Sequence, residues 1–397
     1  MTMNLNPENQ HKVNQIIELF TTLLRSEICR TPVPPDIVQQ ITPDVTEQLY
    51  NLSRMQDMTH ILAVALKKLK LLSDERTAAA FKQSMYHAFV RYEAMEYEKN
   101  RIFRLFEDEG IVFVPLKGAV IRKYYPEEWM RTSCDIDILV HEEELEHAKN
   151  ALVSALGYTV RDSKYHDVAM CSPEGMLLEL HFSIKENMEN IDRYLERVWD
   201  YAKPAEPDGC RYEMTPEYLL FHAFAHMLYH FTNGGCGAKF VTDILLLEQN
   251  LQIDRESFRK MCEECRILTF AENVEKLAAV WYGEEEHDDI TFRMEQYIIA
   301  GGVFGSMQTR VTARKTKAPG QAKYVFQRIF IPYREFCASY PKLEKYPFLY
   351  PYYTVKRWCK ITDKDKVKTA LQEYRVSSDI QPDEVNELKQ LFRDLDV

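Results

Sequence analysis

The fold is decided by residues 135–140, which read DIDILV and alternate polar with apolar side chains. This period of two predicts a β-strand that places Asp135 and Asp137 on one face and its apolar residues on the other. Two carboxylates side by side repel and raise each other's pKa, a conflict that a divalent cation resolves. We therefore predict that Asp135 and Asp137 are catalytic metal ligands; a solvated pair of acids on an edge strand is the alternative.

A third carboxylate belongs to a second predicted strand, residues 176–182, which read MLLELHF. Glu179 and His181 share one face of this strand, and leucines and a phenylalanine share the other. An apolar strand that reserves one face for an acid and a histidine is typical of the wall of a site. We predict that Glu179 is a catalytic metal ligand and that His181 contacts the nucleotide.

A glycine turn lies upstream, where Lys117 and Gly118 follow an apolar segment, residues 111–116, that predicts a strand. A short helix is expected after the turn, and backbone N–H groups at a helix start attract phosphate. Lys117 adds a positive charge, and Arg131 lies four residues before Asp135. We predict that Lys117, Gly118 and Arg131 bind the nucleotide phosphates, although Arg131 is also placed to pair with an acid. A simple strand-to-helix connection is the alternative for the turn.

Three segments together resemble a known family: VPLKGAVI (114–121), RTSCDIDILV (131–140) and LELHF (178–182). They are similar to the uncharacterised nucleotidyltransferase family within the DNA polymerase β-like superfamily. The resemblance implies a sheet whose adjacent strands present three metal-binding acids, here Asp135, Asp137 and Glu179. It also places Lys117 and Gly118 where better-known members carry a Gly-Ser phosphate turn. In this chain Ala119 follows the glycine, so the usual serine–phosphate contact has no counterpart. HAFAHMLYHF (222–231) and GAKFVTDILLL (237–247) look family-like as well.

Composition restricts the function classes. The formal net charge of −11 argues against non-specific nucleic-acid binding, because an acidic surface repels phosphate backbones. Nine irregularly spaced cysteines, with no apolar run long enough for a membrane span and no signal-peptide core, favour a cytoplasmic protein with reduced thiols and no membrane partner.

The chain divides into four predicted parts around an α+β core. Residues 1–100 form an N-terminal helical region, residues 101–203 a nucleotidyltransferase core with a small mixed β-sheet, and residues 204–308, after a linker at 204–208, a helical domain. Residues 309–397 hold a basic loop and a C-terminal aromatic and helical region. We expect the basic loop to be solvated and mobile, since charge runs are usually loops, and a clamp for a triphosphate or an RNA end is the alternative. His222, His226 and His230 recur every four residues, which predicts one helical face. That face either lines an interdomain cleft, near the nucleotide base or the acceptor, or is buried by simple packing.

The predicted function is metal-dependent transfer of a nucleoside monophosphate from a nucleoside triphosphate to an acceptor hydroxyl, with Mg²⁺ or Mn²⁺ as cofactor. The acceptor stays open among small molecules, proteins and RNA ends. The alternative is an inactive nucleotide- or partner-binding module, including a toxin–antitoxin component, and the missing serine motivates it.

Overall fold

The computed structural model describes residues 7–163, 166–303, 305–318 and 364–397, together with residues 320, 323–324, 326, 330–331, 333, 336–337, 340 and 342–359. Over these residues the fold is mixed α+β and mainly helical, as the sequence predicts. It contains a five-stranded sheet and a two-stranded sheet. None of the helices in these residues is long and apolar enough to cross a membrane.

Helices precede, flank and follow the strands along the chain. The helices before and among the strands are α1 (Pro7–Ile28), α2 (Pro35–Gln40), α3 (Pro43–Met55), α4 (Thr59–Lys68), α5 (Glu75–Asp108), α6 (Gly118–Ile121), α7 (Leu145–Leu156) and α8 (Glu189–Leu195). The later helices are α9 (Pro216–Thr232), α10 (Ala238–Asn250), α11 (Arg255–Glu264), α12 (Leu268–Tyr282), α13 (Asp289–Gly301), α14 (Met307–Lys317), α15 (Lys342–Lys345), α16 (Tyr350–Cys359), α17 (Lys364–Asp379) and α18 (Pro382–Asp394). The strands are β1 (Phe113–Pro115), β2 (Asp135–Val140), β3 (Thr159–Ser163), β4 (Asp167–Cys171), β5 (Leu177–His181), β6 (Ala202–Pro204) and β7 (Tyr212–Met214).

The five-stranded sheet has the order β1-β2-β5-β4-β3. Its two acid-bearing strands, β2 and β5, are neighbours and run parallel, whereas the other pairs in the sheet are antiparallel. The register places Asp137 directly beside Glu179, and Leu139 beside His181. The sheet therefore brings the two predicted ligand strands together without any intervening strand.

One face of this sheet is covered by helices α5 and α7. Ile136 and Ile138 of β2 join a buried core with Ile102 and Phe106 of α5 and Leu152 of α7. Side chains alternate along a strand, so the residues between the isoleucines must point to the opposite face. Burial of the apolar face thus fixes the acids on the face that stays accessible from the second helical region.

The helices before and after the sheet share one hydrophobic core. Leu23 of α1, Ile61 of α4 and Leu277 of α12 are all fully buried within it. The predicted N-terminal region (1–100) and helical domain (204–308) are therefore packed together, although the sequence separates them by the whole sheet. This packing places α9 and α10 next to the acid-bearing face.

The segment expected to be a linker, residues 204–208, is instead part of a β-hairpin loop. Strands β6 and β7 pair antiparallel, with Ala202 opposite Met214. The backbone N–H of Ala205 extends the pairing by donating to the carbonyl of Arg211, at 2.9 Å. Local pairing of two short strands thus replaces the expected interdomain connection.

The basic stretch that starts at Thr309 is helical from Thr309 to Lys317, where a loop was expected. Ser306 caps helix α14 by accepting a hydrogen bond from the backbone of Thr309, and no glycine or proline interrupts the helix. Arg314 pairs with Glu373 at 2.9 Å, and Lys315 donates to the carbonyl oxygen of Ser377. Helix α17 thus neutralises Arg314 and accepts a hydrogen bond from Lys315, so the charge run does not indicate a solvated loop here.

Candidate active site

The face of β2 and β5 opposite helices α5 and α7 gathers a compact group of polar side chains. Single ligand atoms from Asp137, Glu179 and His181 all lie within 4.8 Å of one another. Asp137 and His181 are each only 3% exposed, whereas the Glu179 side chain keeps 24% of its surface exposed. The predicted pairing of an acid and a histidine on one face of β5 is therefore present, beside one of the two predicted acids of β2.

Lys117 completes this group from the turn after β1. Its Nζ lies 2.8 Å from Asp137 Oδ1. The backbone N–H of Leu116 donates to the carbonyl of Asp137 at 3.0 Å, which attaches the turn directly to β2. Lys117 has φ +46° and ψ −119°, a left-handed conformation that residues with a side chain rarely adopt. The short helix predicted after this turn is present as α6.

Gly118 follows in a position that has little room for a side chain. A Cβ atom there would meet the Oγ of Ser133 at 3.0 Å and its Cβ at 3.1 Å. Arg122 holds the turn from behind, since its Nε donates to the Gly118 carbonyl at 2.8 Å and its Nη2 to Ser133 Oγ at 3.0 Å. The glycine thus permits the close packing of the turn against the segment that leads into β2.

His181 orients Asp137. Its Nε2 lies 2.9 Å from Asp137 Oδ1 and 3.6 Å from Glu179 Oε2. A carboxylate oxygen can only accept, so Nε2–H is the donor to Asp137. The other ring nitrogen, Nδ1, is buried without a hydrogen-bond partner among the described residues. His181 also belongs to a second group of possible metal ligands, with His166 and Asp167.

The two acids of β2 have opposite electrostatic environments. Burial by itself would raise the pKa of Asp137, but the Lys117 ammonium and the hydrogen bond from His181 outweigh burial and hold that pKa far below its ordinary range. Burial, followed by the charge of Asp137, raises the pKa of Asp135 from 3.8 to about 6. Negative charge at Asp135 is therefore not fully compensated by the neighbouring protein groups.

Arg131 makes a different contact from the expected one. It is 8% exposed, and its Nε and Nη2 reach the two carboxylate oxygens of Asp243 at 2.9 and 2.7 Å. Its Nη1 donates to the carbonyl of Thr132, and Tyr125 donates to Asp243 as well, at 2.7 Å. The guanidinium is thus committed to helix α10, where the sequence predicted a phosphate or one of the acids of β2.

A pocket of about 640 Å³ opens beside the acid group. Lys117, Glu179 and His181 line one part of it, and the three histidines of α9 line another. The predicted histidine face therefore borders a cleft between the sheet and the second helical region. The rings of His226 and His230 are 4.6 Å apart, centroid to centroid.

Glu186 is a pocket residue that the sequence did not single out. It lies in the loop between β5 and α8, and its Oε1 is 2.6 Å from His226 Nδ1. Burial raises the pKa of Glu186. Residues 183–188, which read SIKENM, carry no periodic pattern, so the sequence offers no local signal that would mark this acid.

Comparison with known proteins gives one family. The model of a family described as "Uncharacterised nucleotidyltransferase" matches residues 43–283, which is more than half of the 397-residue chain. The match includes the acid-bearing strands, the Lys117–Gly118 turn and the histidines of α9. No curated protein and no solved structure matches the chain.

Proposed function

The chain belongs to the family of uncharacterised nucleotidyltransferases, and from this premise we propose that it moves a nucleoside monophosphate from a nucleoside triphosphate to an acceptor hydroxyl, with Mg²⁺ or Mn²⁺ as cofactor. The observation that carries this proposal is the group formed by Asp137, Glu179 and His181 beside Lys117, at the edge of a pocket. Carboxylates that can hold a metal ion, next to a positively charged side chain, are the groups that phosphoryl transfer needs.

The residues at this point fit a divalent cation. The pKa of Asp135 is raised because the charge of Asp137 adds to the effect of burial, and a cation would relieve that repulsion. Carboxylate oxygens are the ligands that Mg²⁺ and Mn²⁺ prefer. Asp135, Asp137 and Glu179 would hold the ion, which would supply charge stabilisation at phosphate oxygens.

The other side chains have distinct roles in the proposed reaction. Lys117 would pair with the triphosphate, and Gly118 would let the nucleotide approach the backbone of the turn. His181 keeps Asp137 oriented through its Nε2–H, and it would contact the nucleotide from the wall of the pocket. Glu179, the most exposed of the three grouped residues, would accept the proton that leaves the acceptor hydroxyl.

In the proposed function Arg131 acts through its pair with Asp243 and is not assigned to phosphate binding. The pair joins the segment just before β2 to helix α10, so it fixes where β2 begins relative to the second helical region. We assign Arg131 a positioning role for Asp135, which lies four residues further along the chain.

The test is a transfer assay with the parent protein and Glu179→Gln. Radiolabelled nucleoside triphosphates, a cell extract as acceptor source, and Mg²⁺, Mn²⁺ or EDTA are the variables. The parent should release pyrophosphate and label an acceptor only with a divalent cation. Glu179→Gln should bind nucleotide like the parent and transfer more slowly by about 10²–10⁴-fold, the scale of a general acid–base group. Transfer that is unchanged in Glu179→Gln contradicts the role of this acid.

A second candidate function is nucleotide binding without turnover. It is favoured by Ala119, which follows Gly118 where a serine is the usual phosphate contact. Nucleotide binding by the parent, with no pyrophosphate release for any nucleotide or cation, would select this candidate.

A further inference from the structure

The wall of the pocket on helix α9 is a row of imidazoles. His222, His226 and His230 follow one another at a spacing of four residues, and all three line the pocket. His222 is buried at 3% exposure, and the other two are partly exposed. A row of this kind lies next to the proposed reaction centre, since Lys117 and Glu179 line the same pocket.

These imidazoles are uncharged at neutral pH. Burial lowers the pKa of His222 and of His230 to about 3, and it lowers that of His226 far below its ordinary value. A neutral imidazole has one N–H donor and one nitrogen acceptor. His226 donates from Nδ1 to Glu186, so its Nε2 remains as an acceptor. The row therefore offers directional hydrogen bonds and no positive charge.

The two lysines described on the pocket wall already have partners, and three acids, Asp162, Glu179 and Glu186, line the same wall. Lys117 pairs with Asp137, Lys185 pairs with Glu196, and Glu186 receives the hydrogen bond from His226. Among the residues that the structure describes on this wall, a polyanion such as an RNA end would meet no surplus of cations, and recognition of phosphate backbones depends on such a surplus. The volume of about 640 Å³ falls in the range of about 300–1,000 Å³ that is typical of small-molecule sites.

We propose that the histidine row of α9 binds the acceptor, and that the acceptor is a small, uncharged molecule with several hydroxyl groups. A hydroxyl both donates and accepts, which matches the paired donor and acceptor of each neutral imidazole. The molecule would lie between the row and Glu179, with one hydroxyl directed to the reaction centre. This inference rests on the proposed nucleotidyl transfer and narrows its acceptor.

The first experiment measures pyrophosphate release by the parent protein with Mg²⁺ or Mn²⁺ and each nucleoside triphosphate. The added probes are hexoses, disaccharides and inositols, with two charged comparisons: glucose 6-phosphate against glucose, and a short oligoribonucleotide with a free 3′ hydroxyl. At least one uncharged probe should stimulate release. The phosphorylated sugar should stimulate less than its uncharged counterpart, and the oligoribonucleotide should have no effect.

The second experiment separates acceptor binding from nucleotide binding. His226→Ala and His230→Ala should each raise the KM for the stimulating probe about tenfold, roughly the effect of one lost hydrogen bond, with nucleotide Kd near that of the parent. Glu186→Gln can still accept the hydrogen bond from His226, so it should have a smaller effect. His87→Ala, at an exposed histidine of α5, is the matched control and should behave like the parent.

The outcomes distinguish a failure of this inference from a failure of the proposed nucleotidyl transfer. A parent protein that binds no nucleotide overturns the proposed function and this inference with it. A parent that binds nucleotide overturns the inference alone if only the oligoribonucleotide or the phosphorylated sugar stimulates release, or if no uncharged probe does. The inference also fails if His226→Ala weakens nucleotide binding as much as it raises the KM of the probe, because the row would then bind the nucleotide.

Discussion

Replacing the two acids of β2 by asparagine, one at a time, should change the stability of the metal-free protein in opposite directions. Asp135 is ionised at neutral pH, although burial and the negative charge of Asp137 both oppose its ionisation. Asp137 is buried but held by Lys117 at 2.8 Å and by His181 at 2.9 Å. Asp135→Asn removes a repulsion, whereas Asp137→Asn leaves the Lys117 ammonium without its main partner.

The magnitude for Asp135 follows from its pKa. A rise from 3.8 to about 6 corresponds to about 3 kcal/mol at neutral pH, using about 1.4 kcal/mol for each pKa unit. Asp135 keeps part of its surface exposed, so solvent screening reduces the expected gain of Asp135→Asn to about 1–2 kcal/mol. Breaking a buried ion pair by removing one partner costs about 3–5 kcal/mol, which sets the expected loss for Asp137→Asn.

The assay is urea denaturation in EDTA between about pH 4 and about pH 8. A raised carboxyl pKa costs stability when the group is ionised, so the advantage of Asp135→Asn should be full above about pH 6 and disappear as the pH falls toward the unfolded value of 3.8. A lowered pKa contributes stability above the unfolded value and loses it only below that value, so the deficit of Asp137→Asn should persist across this range. Asp200→Asn, at an exposed surface pair with Arg197, is the control and should change little.

The refuting result is a destabilised Asp135→Asn protein at neutral pH in EDTA, because it would mean that the two acids do not repel in the folded state. A further comparison adds saturating Mg²⁺ or Mn²⁺ to the same samples. The parent should gain stability by mass action, and both asparagine variants should lose most of that gain. A variant that keeps the full gain would remove its residue from the proposed metal site.

Two other predictions test the Lys117–Gly118 turn and the Arg131–Asp243 pair. Lys117→Ala should weaken triphosphate binding more than monophosphate binding, and added salt should shrink the difference because it is electrostatic; equal weakening would indicate a structural role. Arg131→Met and Asp243→Asn should each lower the free energy of unfolding by about 3–5 kcal/mol, because both break a buried bidentate pair. Arg259→Met, at the exposed pair with Glu263, should cost at most about 1 kcal/mol in the same denaturation experiment.

The sequence predicts the acid-bearing strands because their signal is local. The alternation in residues 135–140 depends only on neighbouring residues, and β2 spans Asp135–Val140 as predicted. The strand predicted over residues 176–182 is present over Leu177–His181. The family resemblance implied only that the acid-bearing strands are adjacent. Their parallel register, which sets Asp137 beside Glu179, cannot be read from either segment alone.

The parts that the sequence did not reveal depend on contacts between distant residues. Arg131 pairs with Asp243, 112 residues further along the chain, and no local pattern links the two. The basic run of α14 predicts a solvated loop from its charge alone, because a partner such as Glu373 lies in a separate helix and leaves no local signal. The same holds for Glu186, which becomes a pocket residue only through its contact with His226. Charged side chains carry little local information about the partner that will neutralise them.

Lys117 shows why the turn differs from a glycine–serine turn. A residue with a side chain at φ +46° carries strain of about 1–3 kcal/mol, which a glycine would relieve. A glycine would also remove the ammonium that pairs with Asp137 and lies near Glu179 and Glu186. The backbone bond from Leu116 to Asp137 holds the turn in this conformation and so directs the ammonium at the acids. The strain is therefore offset by charge compensation at Asp137, and a divalent cation that binds these acids must compete with a lysine that is already there.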